Sequence, residues 1–193
     1  LVDIDGNVNG IEMWNSTLPS LYKNIFDVAS KSRIIYKDGL SKKDFPYEKE
    51  KQYNFTIQVS DEKQENWREI ASDFLNENFD VNAKMGVDSL ECYVLKNVDK
   101  KIKQSESEST EYMFMGTILN AKKIKMVKLA EYLENFIPVP VLDKTNLNGE
   151  YDIVLEWQAE DPKTIDTELK KYGLELIKAE NKLPVDVMEI YKK

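Results

Sequence analysis

Tyr53-Asn54-Phe55-Thr56-Ile57-Gln58-Val59 and Tyr151-Asp152-Ile153-Val154-Leu155-Glu156-Trp157 alternate apolar and polar side chains in the same way. A period of two sends one set of side chains to a single sheet face, so each segment is expected as a half-buried strand. A helical pattern follows each. In the first copy Trp67, Ile70, Ala71, Phe74 and Leu75 recur at i, i+3, i+4, i+7 and i+8. In the second, Asp161-Pro162 reads as an N-cap followed by proline at the first helical position. Ile165, Leu169 and Tyr172 then face inward, and Gly173 ends the helix. Pairs of short strands are expected next. Residues 79–84 and 90–95 flank Met85-Gly86-Val87-Asp88, and residues 174–179 and 185–191 flank Glu180-Asn181-Lys182-Leu183-Pro184. Both pairs read as hairpins.

The match extends upstream. Leu18, Leu21, Tyr22, Ile25, Phe26 and Ala29 form a stripe before the strand at 33–36; Met126, Leu129, Ala130, Leu133 and Ile137 form one before the strand at 139–142. Short strands at 11–14 and 113–121 precede these helices. The chain is therefore expected to be α+β, built from two diverged β-α-β-β-α-β-β halves with mixed or antiparallel sheets and helices packed on one face. Residues 1–96 form the first half, 112–193 the second, and the Lys/Ser/Glu-rich stretch 97–111 an exposed linker. The sequence leaves open whether the halves pack as one domain.

Composition narrows the function classes. The 193 residues carry a formal charge of −8, with a pI near 4.8. Nucleic-acid and anionic-membrane binding both gain affinity from clustered Lys and Arg, so an acidic chain is not expected to bind either. There is no histidine, which removes Ser–His and Cys–His nucleophile pairs and the commonest zinc ligand. Cys92 is the only cysteine, so no intrachain disulfide forms; its apolar setting at 90–95 fits core packing. No glycine-rich phosphate loop occurs, and no apolar run reaches the ~18 residues of a membrane-spanning helix. No cofactor is expected. Asp5-Gly6-Asn7-Val8-Asn9-Gly10-Ile11 follows the start of a calcium loop, but Ser16 stands where a bidentate carboxylate belongs, so a plain turn is the better reading and no metal site is expected. Trp67 and Trp157 occupy inward positions of their patterns. Trp14, beside the first helix cap, is the candidate for an exposed aromatic contact.

Val141-Leu142-Asp143-Lys144-Thr145-Asn146-Leu147-Asn148-Gly149-Glu150-Tyr151-Asp152 and its continuation to Trp157 carry a family resemblance. The segment resembles the signature V-D-K-T-G-L-x-G-x-Y-D-F-x-L-x-W of the uncharacterised DUF3738 family, the "soil-associated" bacterial proteins, with the chain similar to Bacteroidetes-type members. Asp143, Lys144, Thr145, Leu147, Gly149, Tyr151, Asp152, Leu155 and Trp157 match, and Asn146 replaces the usual glycine. Asn15-Ser16-Thr17-Leu18, Gln52-Tyr53-Asn54-Phe55 and the final 174–190 segment resemble further family stretches. The resemblance implies an exported or membrane-associated protein and supplies no catalytic residues.

Turn chemistry explains the signature. Asn148-Gly149 suits a tight hairpin turn with positive φ, Asp143 and Thr145 can bond nearby backbone N–H groups, and Lys144 is the residue of this turn able to contact a ligand. Asp143, Lys144, Thr145, Asn148 and Gly149 are thus a structural turn first and a contact surface second. The expected function is a non-catalytic, extracytoplasmic binding or adaptor module for a peptide, cell-wall fragment or partner protein, in the periplasm or cell envelope, with a lipid or membrane anchor upstream compatible with the sequence. A sensory or accessory portion of a larger envelope system and a carboxylate-based hydrolase are the alternatives.

Overall fold

The structure, a computed structural model, describes residues 8–99, 102–158, 160–161 and 163–193. In chain order the strands and helices are β1 (Gly10–Ser16), α1 (Leu18–Ile25), β2 (Ile34–Tyr36), β3 (Tyr53–Gln58), α2 (Trp67–Asn78), β4 (Val81–Leu90) and β5 (Tyr93–Asn97). Then come β6 (Glu111–Met115), β7 (Ile118–Ile124), α3 (Met126–Leu133), β8 (Val141–Asp143), β9 (Tyr151–Glu156), α4 (Lys163–Lys170), β10 (Leu174–Lys178) and β11 (Leu183–Lys192). The fold is α+β with mixed and antiparallel sheets. Two compact units divide it, the first holding residues up to 88 together with 186–193, the second holding 89–185. These boundaries differ from the expected 1–96 and 112–193, because β5 belongs to the second unit and most of β11 to the first.

In the first unit β1 pairs antiparallel with β3, from Gly10 opposite Gln58 to Met13 opposite Phe55, and the register then shifts before Ser16 meets Tyr53. The extra residue at that bulge is Asn15, at φ 48. Its N–H donates to the Asn54 side-chain oxygen at 2.9 Å, which gives the bulged amide a partner. Leu18, Leu21, Tyr22 and Ile25 of α1 are buried at i, i+3, i+4 and i+7, as the stripe predicts. They pack with Trp67, Ala71 and Leu75 of α2 and with Met188 and Ile190 of β11. Each buried Leu, Ile or Met among them contributes ~1.5–3 kcal/mol by leaving water. In the second sheet of this unit β11 lies between β2 and β4, running parallel to β2.

In the second unit β6 and β7 form a hairpin closed at Gly116, at φ +57. Read as one strand over 113–121, this segment is two, because glycine supplies the left-handed conformation the turn needs. β7 pairs antiparallel with β9, again with a register shift between Ala121 and Ile124. Met126, Leu129, Ala130 and Leu133 of α3 pack with Ile153, Leu155 and Trp157, and with Ile165 and Leu169 of α4. The other sheet has the order β10-β5-β8, antiparallel and then parallel. Gly173, at φ +71, terminates the α4 segment as expected.

Three expected hairpins are absent. Residues 81–90 form one continuous strand in which Gly86 has no positive φ, and Glu91-Cys92 then lead into β5. Without a left-handed turn residue the chain does not fold back on itself. β10 and β11 likewise enter different sheets. Nor do β8 and β9 pair: β8 lies beside β5 and β9 beside β7. The 97–111 stretch is not solvated throughout. Ile102 packs against the second core, Gln104 bridges to Tyr151, and Ser105 N–H donates to Glu150 O at 2.8 Å.

Candidate functional site

Between α3 and β8 the chain runs Phe136-Ile137-Pro138-Val139-Pro140. The two prolines hold it extended and remove N–H donors, so it cannot close into a helix or a sheet ladder. The Glu134 carboxylate, itself buried, accepts the Val141 N–H at 3.0 Å and ties the far end of this loop back to the helix. Its apolar residues stand only half-buried as a result. With Tyr93 of β5, Leu176 of β10 and Ile165 of α4 they line an open cleft of about 460 Å³. Glu91, Lys163, Asp166 and Lys178 form its charged rim.

The rim charges cancel in pairs, with one left over. Lys178 Nζ lies 3.1 Å from Glu91 Oε2. Asp166 takes Lys170 Nζ at 3.0 Å and the Leu176 N–H at 3.3 Å. Lys163 makes no ion pair among the described residues. Exposed pairs of this kind add little stability, so their effect is on the polarity of the cleft mouth.

Phe136, on the cleft wall, is braced from behind. Trp157 meets it edge to face with ring centroids 4.8 Å apart, and Tyr132 meets both rings at 5.4 and 6.0 Å. Trp157 is buried, so its indole is a support and not a contact surface. Phe114 lies 4.7 Å from Tyr132 with its ring tilted by 33° and carries the aromatic row out to the exposed strand β6. A second hollow of about 450 Å³, lined by Gln104, Asp152, Tyr172 and neighbouring residues, is more polar. There the Tyr172 hydroxyl accepts the Val154 N–H at 2.8 Å and donates to Val154 O at 3.0 Å, which caps the outer edge of β9.

Comparison with known proteins places these residues in a family. The profile of a family described as a protein of unknown function, DUF3738, matches residues 40–189. The chain belongs to the DUF3738 family. No curated protein and no solved structure matches it.

The DUF3738 signature builds a turn, by a different route from the one expected. Asp143 Oδ1 accepts the Thr145 N–H at 2.9 Å and the Thr145 hydroxyl at 2.7 Å, and Thr145 Oγ1 accepts the Leu147 N–H at 3.2 Å. The positive φ falls on Asn146, at 58°, and not on Gly149. Asn146 stands where the family signature has glycine, and asparagine tolerates the left-handed region better than other side chains do. Gly149 serves a different need, since a Cβ there would lie 2.6 Å from Gln104 Nε2. Lys144 and Asn148 are exposed, and the Lys144 N–H donates to Leu95 O at 2.9 Å. None of Asp143, Lys144, Thr145, Asn148 or Gly149 lines the cleft.

Asp152 of the same signature gives a pH prediction. Its carboxyl is held below the usual range, first by the Ser105 hydroxyl and then by the Lys123 N–H at 3.1 Å. A lowered folded-state pKa stabilises the fold above the unfolded value, and that stability disappears as pH falls through the folded value. Asp152→Asn is therefore expected to lower the melting temperature at pH 7, where both charge-assisted hydrogen bonds are lost, and to flatten its fall below about pH 4, where the wild-type carboxyl is protonated as well. Melting curves from pH 2 to 7 check this.

Trp14 is 64% exposed on β1, in the first unit, whereas the cleft belongs to the second. Of the calcium-like segment, Asp5, Gly6 and Asn7 lie outside the described residues. Asn9 is buried, and its side-chain oxygen lies 3.4 Å from Gln58 Nε2. Among the described residues no group of three or more acidic or cysteine side chains is placed to hold a metal ion. No motif in the sequence marks the cleft residues. The available signal was the apolar run Phe136–Leu142, which is longer than a three-residue strand can bury.

Proposed function

We propose that this DUF3738 chain is a non-catalytic, extracytoplasmic binding module whose seat is the apolar cleft of the second unit, and that its ligand is a short extended peptide with a large apolar side chain and a free carboxylate end. The observation carrying this reading is the cleft itself: half-exposed Phe136, Ile137, Val139 and Leu176, with Lys163 left over at the mouth. Concave apolar walls with a few polar groups at the rim suit such a ligand. Trp157, a family-signature residue, supports the reading because it braces the Phe136 wall. Action outside the cytoplasm rests on the resemblance of the family to exported proteins.

A thermal-shift series with acetyl-Ala-Leu-Phe as the free acid, and with the same peptide as its amide, tests the proposal. At 100 times Kd a ligand stabilises by ~2.7 kcal/mol, which raises the melting temperature of a chain this size by several degrees. The acid is expected to shift the wild type more than the amide does. Lys163→Gln is expected to erase that difference, and Val139→Arg to abolish both shifts by filling the cleft with a charged chain. Equal shifts in Val139→Arg and wild type would exclude the cleft.

A second reading, an adaptor docking a partner protein, draws on β6. Tyr112, Met113, Phe114 and Met115 are all 43–59% exposed on a strand at the edge of its sheet.

A further inference from the structure

The same local construction occurs twice in this chain, down to single hydrogen bonds. Gly10, Met13, Asn15 and Ser16 correspond to Ile118, Ala121, Lys123 and Ile124, each 108 residues further on (118 less 10, for instance). Both bulges hold a non-glycine residue at positive φ, Asn15 at 48° and Lys123 at 58°. Each bulged N–H donates to a side-chain oxygen on the neighbouring strand, Asn15 to Asn54 at 2.9 Å and Lys123 to Asp152 at 3.1 Å. The buried faces agree as well, Leu18, Leu21, Tyr22 and Ile25 in α1 against Met126, Leu129, Ala130 and Leu133 in α3. A bulge and a four-residue helix face recurring at one spacing, with a matching acceptor on each neighbouring strand, are hard to obtain from two unrelated segments.

The three-stranded sheets complete the correspondence, with one crossing. In the first unit the short strand after α1, β2, pairs in parallel with β11: Met188 opposite Ile34, Ile190 opposite Tyr36. In the second, the short strand after α3, β8, pairs in parallel with β5: Tyr93 opposite Val141, Leu95 opposite Asp143. The hydrogen bond leaving each pair is the same, Lys37 N–H to Ile190 O at 2.8 Å and Lys144 N–H to Leu95 O at 2.9 Å. The orders are β2-β11-β4 and β8-β5-β10. β5 closes the first half of the sequence and β11 closes the second, yet each is the central strand of the sheet formed by the other half.

We infer that the chain is a duplication whose halves have reciprocally exchanged their last strand, so that each unit contains a strand-acceptor site between two outer strands and the native ligand of that site is the terminal strand of the other half. The acceptor between β2 and β4 takes an extended segment with Val187, Met188 and Ile190 buried, and the one between β8 and β10 takes a segment with Val94 and Leu95 buried. The exchange explains why two of the three expected hairpins, β4 with β5 and β10 with β11, do not form. Strands joined by Glu91-Cys92 and by residues 179–182 part into different sheets because their partners lie in the other half. A central strand supplies two ladders of backbone hydrogen bonds and both faces of its side chains, so neither half is complete by itself.

Hydrogen exchange on the full chain tests the exchange through its crossed signature. In Ile190→Ala, a change near the C-terminus, amide protection is expected to fall roughly ten-fold or more in β2 and β4, while β8 and β10 keep theirs. In Leu95→Ala the loss is expected in β8 and β10, with β2 and β4 retained. Should either variant fail to fold, Ile190→Val and Leu95→Val are read in the same way with several-fold effects. Protection lost instead from β10 in the Ile190 variant and from β4 in the Leu95 variant, or lost equally everywhere, would overturn the inference. A protease site placed between Glu108 and Ser109 gives a second reading. The nicked halves are expected to co-elute as one 22.5 kDa species in native buffer, and their separation there would overturn it.

Discussion

Trp157→Ala is expected to lower stability by about 3–5 kcal/mol, the range for removing a large aromatic side chain from a core, and to abolish peptide binding at the cleft. The indole is 5% exposed and joins the packing of Leu155, Ile165 and Leu169. It also meets Phe136 and Tyr132 edge to face, at 4.8 and 6.0 Å, contacts worth a further fraction of a kcal/mol beyond the area they cover. Removing it takes away the support of the cleft wall, so binding fails even where folding survives. Trp157→Phe keeps an aromatic brace and should recover most of both. Urea denaturation gives the stability change, and the thermal shift with acetyl-Ala-Leu-Phe gives the binding. A variant as stable as the wild type, or one binding the peptide unchanged, would separate the signature from the cleft.

Gly10→Ala should destabilise by about 3 kcal/mol, at the upper end of the range for inserting a methyl where there is no room. A Cβ at Gly10 would lie 2.1 Å from the carbonyl oxygen of Ile57 and 2.8 Å from the Cα of Gln58. Both are backbone atoms of the paired strand, so no side chain can move aside and β1 must lift from β3. The midpoint of urea unfolding is expected to fall with an unchanged denaturant slope, since the denatured state gains only one methyl group. Gly39→Ala is the contrasting case. A Cβ there meets nothing within 4 Å, and the cost is only that of φ +76 for a side chain.

Elements were legible in the sequence where periodicity was strong and local. The stripe Leu18, Leu21, Tyr22, Ile25 and the alternation from Tyr151 to Trp157 became a helix and a strand at nearly the expected residues. Pairing was not legible, because it is decided between distant segments. Nothing in 90–95 or 185–191 says which sheet receives the strand, and adjacency in sequence made a hairpin the natural reading for each. Gly86 and Asn148-Gly149 looked like turn residues, but glycine also serves close approach, at Gly86 to Glu189 and at Gly149 to Gln104. The left-handed residue of the signature turn was Asn146, visible in the sequence only as a departure from the family pattern.

The cleft is not legible in the sequence for a related reason. Its residues come from β5, the loop after α3, α4 and β10, and no single stretch carries a motif. Ile165 and Leu176 read simply as core positions, and Lys163 as one more surface lysine. Only the proline-spaced run from Phe136 to Leu142 hints at apolar side chains with no element to bury them.

A ¹H–¹⁵N correlation titration of the full chain with acetyl-Ala-Leu-Phe tests most directly whether the cleft is the ligand seat. Saturable shifts confined to Tyr93, Ile137, Val139, Ile165, Leu176 and their neighbours are the expected result, with Lys163 moving for the free acid and not for the amide. Shifts centred on Tyr112–Met115, or a spectrum unchanged at millimolar peptide, would contradict it.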